Sequence, residues 1–176
     1  MTLTVVVWEK QASFDVKNDE TVALFLLEEP AALSNTYFIK LTLKQGDKLL
    51  SENFYVRGKE DGNYQSLLDL PYIQLSHDIK VVQDGDEWVL DGVMKNESDT
   101  PALMIRLAVK GDKTACMMAP VLYNENYFSL MPGESKQIHI TLANADTQGE
   151  RPILEVTGFN VTTDKAKLGK VRRSLR

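Results

Sequence analysis

The chain reads as all-β: one complete sandwich of two sheets, preceded by part of another. Three observations predict this. Apolar residues recur at every second position in one segment after another. Short turn signals separate those segments, among them Asn18-Asp19, Asp84-Gly85-Asp86, Asn96-Glu97-Ser98-Asp99 and Pro132-Gly133. No stretch of ten residues or more carries strong helical spacing.

In chain order, strands are expected first at 3–9, 12–16 and 21–27. TYFIKLTLK then places Tyr37, Ile39, Leu41 and Leu43 on one face. QGDKLLSENFYVRG reads as a tight turn and a return strand, with Gly46 taking the positive φ of a short hairpin. Residues 58–71, GKEDGNYQSLLDLP, are polar and then Leu-rich, and read as a linker. Strands follow at 78–83 and 87–95. In ALMIRLAVK, Leu103, Ile105, Leu107 and Val109 share one face and Ala102, Met104, Arg106 and Ala108 the other. A strand is expected at 118–123. Beyond the Pro132-Gly133 turn, Ile138, Ile140 and Leu142 point inward toward Leu103, Ile105 and Leu107. A strand at 153–161 closes the series. Residues 72–162 suffice for an immunoglobulin-like sandwich, which takes about 100 residues. Residues 1–57 are too few and begin inside a strand, so they are expected to form a partial, N-terminally truncated immunoglobulin-like domain. An open edge or apolar face there predicts self-association. Residues 163–176 form a basic tail.

The net charge of −5 argues against a general nucleic-acid binder. The tail KAKLGKVRRSLR is the exception, with Lys165, Lys167, Lys170, Arg172, Arg173, Arg176 and no acid. It reads as a solvated end, a dock for the acidic remainder of the same protein, or a polyanion contact. The one cysteine, Cys116, rules out an intrachain disulfide. No run approaches the 18 apolar residues of a membrane-spanning helix, and MTLTVVVWEK is not a signal peptide.

No constellation of catalytic residues stands out. Glu28-Glu29, Glu60-Asp61, Asp84, Asp86 and Glu87 sit mostly in predicted turns and read as solvated charge. His139 lies opposite Ile138 and Ile140, facing solvent, and His77 falls in a loop before a strand; neither lies in a nucleophile motif. Cys116, in TACMMAP, reads as a buried small hydrophobe. Two histidines and one cysteine make no zinc site, DGDE at 84–87 suits a hairpin turn better than calcium, and no cofactor is expected. The aromatics Trp8, Trp88, Tyr64, Tyr123, Tyr127 and Phe128 leave two readings open, core or seam packing and sugar stacking. Trp88 shares a face with Leu90 and Met94, which favours core. Tyr127 and Phe128 point to opposite faces if extended, so at most one enters the same layer.

Three ordered segments carry a resemblance. SENFYVRGKEDGNYQSLLDLP, KNESDTPALMIRLAV and APVLYNENYFSLMPGESKQIHI are similar to successive segments of the C-terminal immunoglobulin-like domains of glycoside hydrolase family 2, in its β-mannosidase and exo-β-glucosaminidase branch. Val56 departs from the family's frequent Trp. The resemblance implies that the catalytic carboxylates lie in a separate (β/α)8 barrel of roughly 250 residues, for which this chain has no room. It thereby implies a non-catalytic accessory region whose partners are the other domains of a parent glycosidase, with a glycan as a further possible ligand.

Overall fold

The computed structural model describes residues 6–165 other than 32 and 61, and divides into two compact units between Asp69 and Leu70. The basic tail beyond 165 lies outside the described residues, as does Asp61.

The first unit is built on a hairpin of β1 (Thr36–Gln45) and β2 (Lys48–Gly58). Gln45 pairs with Lys48, and Gly46 supplies the left-handed φ of 57° in the turn between them. Tyr37, Ile39 and Leu41 alternate along one face. On the other, the Phe38 and Phe54 rings stack at 5.4 Å and Lys40 pairs with Glu52 at 3.0 Å. The described residues of 59–69 pack within this unit: Lys59 N–H donates to Asn35 O and Ser66 Oγ to Thr36 Oγ1. The strands expected at 12–16 and 21–27 do not form, and the described part of 3–9 is not a strand either. Alternation makes a strand only where a ladder partner exists, and no strand is assigned among the described residues between 6 and 35. Val16, Val22, Leu24 and Leu26 are exposed.

The second unit is a sandwich of two four-stranded antiparallel sheets, consistent with an immunoglobulin-like fold. Its strands are β3 (Ser76–Asp84), β4 (Glu87–Lys95), β5 (Ala102–Gly111), β6 (Leu122–Tyr123), β7 (Phe128–Leu130), β8 (Ser135–Ala143), β9 (Pro152–Thr157) and β10 (Asp164–Lys165). One sheet has the order β3-β4-β8-β6 and the other β10-β9-β5-β7. Between them lies one core, with Leu90, Met94, Ile105, Val109, Ile138, Ile140 and Leu154 fully buried. Each such side chain contributes about 1.5–3 kcal/mol by leaving water. Ile73 joins the core through a parallel bridge to Val161, which ties the lead-in segment to the chain's later end.

Three expectations need correction, and one strand was not expected. The β5 alternation breaks at a bulge: Ala102 pairs with Leu130 and Ile105 with Phe128, so Leu103 and Met104 together oppose Ser129. Ala102 therefore joins the core in place of Leu103, which is buried outside that cluster. The strand expected at 118–123 shrinks to Leu122–Tyr123, because Pro120, in a cis peptide, has no N–H for a ladder. The strand expected at 153–161 ends at Thr157, after which residues 158–162 turn inward around Asn160. Finally, β7 was hidden by its length of three residues.

Candidate functional site

The segment YNENYF, where the chain leaves β6 for β7, changes sheet. Two asparagines secure the change by acting as backbone. Asn124 lengthens the β6–β8 ladder: its N–H donates to His139 O (3.0 Å), its Oδ1 accepts from His139 N–H (2.7 Å), and its Nδ2 donates to Gln137 O (2.9 Å). Asn126 does the same for β5 in the opposite sheet. Leu107 N–H donates to Asn126 Oδ1 (2.8 Å), and Asn126 Nδ2 donates to Leu107 O (3.0 Å). Amide side chains carry a donor and an acceptor in peptide-like geometry, which suits them to this use.

The flanking aromatics separate accordingly. Phe128 is buried in the core, with Lys136 Nζ 5.3 Å from its ring centre. Tyr123 packs against the core, and its hydroxyl accepts from Val109 N–H at 3.3 Å. Burial raises the Tyr123 phenol above its ordinary range, offset in part by that N–H. Tyr127 is 70% exposed and left-handed, at φ 54°. Its N–H donates to Asn126 Oδ1 at 2.9 Å.

The other candidates are scattered. Trp88 is in the core, its Nε1 donating to Asn144 Oδ1 at 3.0 Å. His139 is exposed as expected and lies 3.0 Å from Asp91. His77 is not in a loop: it belongs to β3, opposite Met94. Cys116 is exposed rather than buried. Its segment curls through a left-handed Ala115 (φ 56°), with Gly111 N–H donating to Cys116 O, and Met118 alone of the Cys-Met-Met run reaches the core. Asp84 and Glu87 face each other across a two-residue hairpin turn through Gly85 and Asp86. Among the described residues no group of three or more His, Cys, Asp or Glu side chains could hold a metal.

In the first unit, Trp8, Leu27, Pro30, Ile39, Leu41 and Tyr55 line an open cavity of about 380 Å3, with Glu28, Glu29 and Arg57 at its polar parts. The Tyr37 hydroxyl donates to Glu29 Oε1. That bond, then burial, raises the Tyr37 phenol above its usual range. Tyr64 is exposed and Glu60 accepts from Asn63 Nδ2 at 3.2 Å.

Sequence reasoning missed the buried amides. Asn96, fully buried, donates to Thr100 O and Leu130 O and accepts from Ser98. Asn160, 2% exposed, accepts from Leu103 N–H (3.0 Å) and donates to Pro101 O (2.8 Å) and Pro71 O (3.2 Å). Asn96 stood among turn residues, and nothing local marks Asn160, whose partners lie 57 to 89 residues away.

Comparisons with known proteins agree with this architecture. The family model of the exo-β-D-glucosaminidase Ig-fold domain matches residues 53–161. Among solved structures, the exo-chitosanase CsxA of Amycolatopsis orientalis superposes with a TM-score of 0.70 at 22% identity, over 77% of this chain and 18% of that one. A complex of CsxA with PNP-β-D-glucosamine gives 0.68 at 23% identity with the same coverage. So does the structure of CsxA inhibited by a glucosamine-configured castanospermine. These structural likenesses carry the fold. The chain spans 18% of the length of these relatives. A search of curated proteins finds no match. Of the two branches the sequence resembles, the match is to the exo-β-glucosaminidase one and not to β-mannosidase. The family match spans well over half of the chain, so this protein belongs to the exo-β-D-glucosaminidase Ig-fold family of glycoside hydrolase family 2.

Proposed function

We propose that this chain is a non-catalytic accessory region of an exo-β-glucosaminidase-type enzyme, and that it braces the part of that enzyme where hydrolysis occurs. The family match over 53–161 carries the reading. The apolar surface of the first unit supports it. Trp8, Leu27, Leu41, Leu43, Leu49 and Tyr55 are exposed there, and exposed apolar patches of this kind mark contact surfaces. In a brace, such side chains are covered by the neighbouring domain. Hydrolysis would then use a carboxyl pair on the partner domain, and this chain would supply stiffness and burial.

The direct test is hydrolysis of PNP-β-D-glucosamine by the purified chain. No release above that of an Ile140→Asp preparation, whose fully buried core position is destroyed, is the expected result. Release by the intact chain that survives repurification overturns the reading. The reading also requires that the full reading frame encode a (β/α)8 barrel.

A further inference from the structure

The pattern Asn-X-Ser/Thr, with X other than proline, is the acceptor signal for an N-linked oligosaccharide, and it is ordinarily carried on a surface loop. The sequence holds it twice, as Asn96-Glu97-Ser98 and as Asn160-Val161-Thr162. The exposed Asn18, Asn35, Asn53 and Asn124 lie outside any such pattern. Both signal asparagines belong to the sandwich unit and are closed inside it, at 0% and 2% exposed.

Each of the two amides is fully engaged. Asn96 Nδ2 donates to Thr100 O (2.8 Å) and to Leu130 O (3.0 Å), which ties the 96–100 turn to β7. Its Oδ1 accepts from Ser98 N–H (3.1 Å) and from the Ser98 hydroxyl (2.7 Å), so the hydroxyl of the signal is turned back on its own asparagine. Asn160 Nδ2 donates to Pro101 O (2.8 Å) and to Pro71 O (3.2 Å), while its Oδ1 accepts from Leu103 N–H (3.0 Å). The hydroxyl of that signal, on Thr162, donates to Ile73 O at 3.0 Å. A side-chain amide has two N–H donors, and in both residues both are aimed at backbone carbonyls.

Transfer from a lipid-linked oligosaccharide joins Nδ2 to the anomeric carbon of the first sugar. The lipid pyrophosphate leaves and Nδ2 gives up one proton. A modified asparagine therefore keeps one N–H where the sandwich uses two, and a buried carbonyl loses its donor. The attached pyranose also has to enter an interior that is packed to near-crystalline density. We propose that the folded sandwich keeps both signals shut, so that for this chain the fold and an N-glycan at Asn96 or Asn160 are alternatives. A transferase reaches either asparagine only while the 96–100 turn or the 158–162 turn is undocked. In a compartment that holds such a transferase, a chain that closes first stays bare, and a chain that is modified first stays open and is left to chaperones and proteases.

The test sends the intact 176-residue chain, behind a cleavable leader, through the secretory route of a yeast or insect cell. Mass spectrometry of the peptides around 96 and 160 reads occupancy, and resistance to trypsin reads folding. The trypsin-resistant product should be bare at both asparagines, and any glycan-bearing chain should be trypsin-sensitive. Ile140→Asp destroys a fully buried core position, so its product, recovered from the cells, should carry glycan at both. Thr162→Val added to that variant removes the second signal while keeping Asn160, and should confine the glycan to Asn96. A trypsin-resistant chain with a glycan on either asparagine would overturn the proposal. So would an Ile140→Asp chain as bare as the native one, because something other than the fold would then be shutting the signals. Modification that persists at Asn160 after Thr162→Val would overturn the reading of 160–162 as a signal.

Discussion

Asn160→Ala is the sharpest available test of how the sandwich is closed. The native side chain satisfies Leu103 N–H, Pro101 O and Pro71 O from a position 2% exposed. Truncation leaves those three backbone groups without this partner. A buried group left unsatisfied costs about 1–3 kcal/mol, so even the low end amounts to about 3 kcal/mol. For a domain of this size, 1 kcal/mol moves the melting midpoint by about 4 °C, which gives a fall of about 12 °C. Asn160→Asp should be worse at neutral pH. It keeps an acceptor for Leu103 N–H but turns a carboxylate oxygen toward two carbonyls. That carboxylate has its folded pKa raised above the unfolded value, so the variant should regain stability as the pH falls. Differential scanning calorimetry at pH 5 and pH 8 reads both effects. A fall under about 4 °C for the alanine variant, or equal behaviour of Asp and Asn at pH 8, would refute the assignment of Asn160 as the closure of 71, 101 and 103.

Three further outcomes follow from other parts of the structure. A β-carbon on Gly92 would lie 1.9 Å from Asp78 O and 2.7 Å from Ile79 Cα, so Gly92→Ala should part β3 from β4 and abolish the native amide dispersion in NMR. Glu150 Oε2 accepts from Thr114 N–H and Lys113 N–H at 3.0 Å each, and the Thr114 bonds hold its carboxyl below the ordinary value of 4.5. A depressed folded pKa gives stability that is present above the unfolded value and lost as pH falls through the folded one. Glu150→Gln should therefore lower the melting midpoint at pH 7, with the gap closing in acid; a gap independent of pH would count against it. Last, the exposed Leu41 lines the cavity of the first unit, so the isolated chain is expected to associate with rising concentration in sedimentation and Leu41→Glu to weaken that association. A chain that stays monomeric at high concentration, or an association constant unchanged by Leu41→Glu, would refute a contact through this surface.

The sandwich was legible where one face of a strand is buried along its whole length. In β8, Ile138, Ile140 and Leu142 all enter the core while His139 faces out, so strict alternation and structure coincide. The same rule misplaced Leu103, because the bulge at Met104 comes from pairing with β7 and not from any local preference. It also misread 12–16 and 21–27, whose alternation is real but unpartnered. Cys116 was misjudged because burial was inferred from its apolar neighbours, whereas the curl at Ala115 turns only Met118 inward. The aromatic segment was half readable. The opposition of Tyr127 and Phe128 was visible in their adjacency. The use of Asn124 and Asn126 as surrogate backbone was not, since their partners are on strands 13 to 19 residues away in different sheets.

Those surrogate peptides have a consequence for how the molecule resists fibre growth. The margin of β5 not served by β7 is stoppered: Asn126 fills the slot at Leu107, the Tyr123 phenol takes Val109 N–H, and Met118 N–H meets Val109 O. Asn124 stoppers the matching margin of β8. A foreign chain arriving at this corner finds no vacant rung to copy. Ladder edges remain at β3, which pairs only with β4, and in the two-stranded ribbon of β1 and β2, and templated polymerisation is directed to those edges.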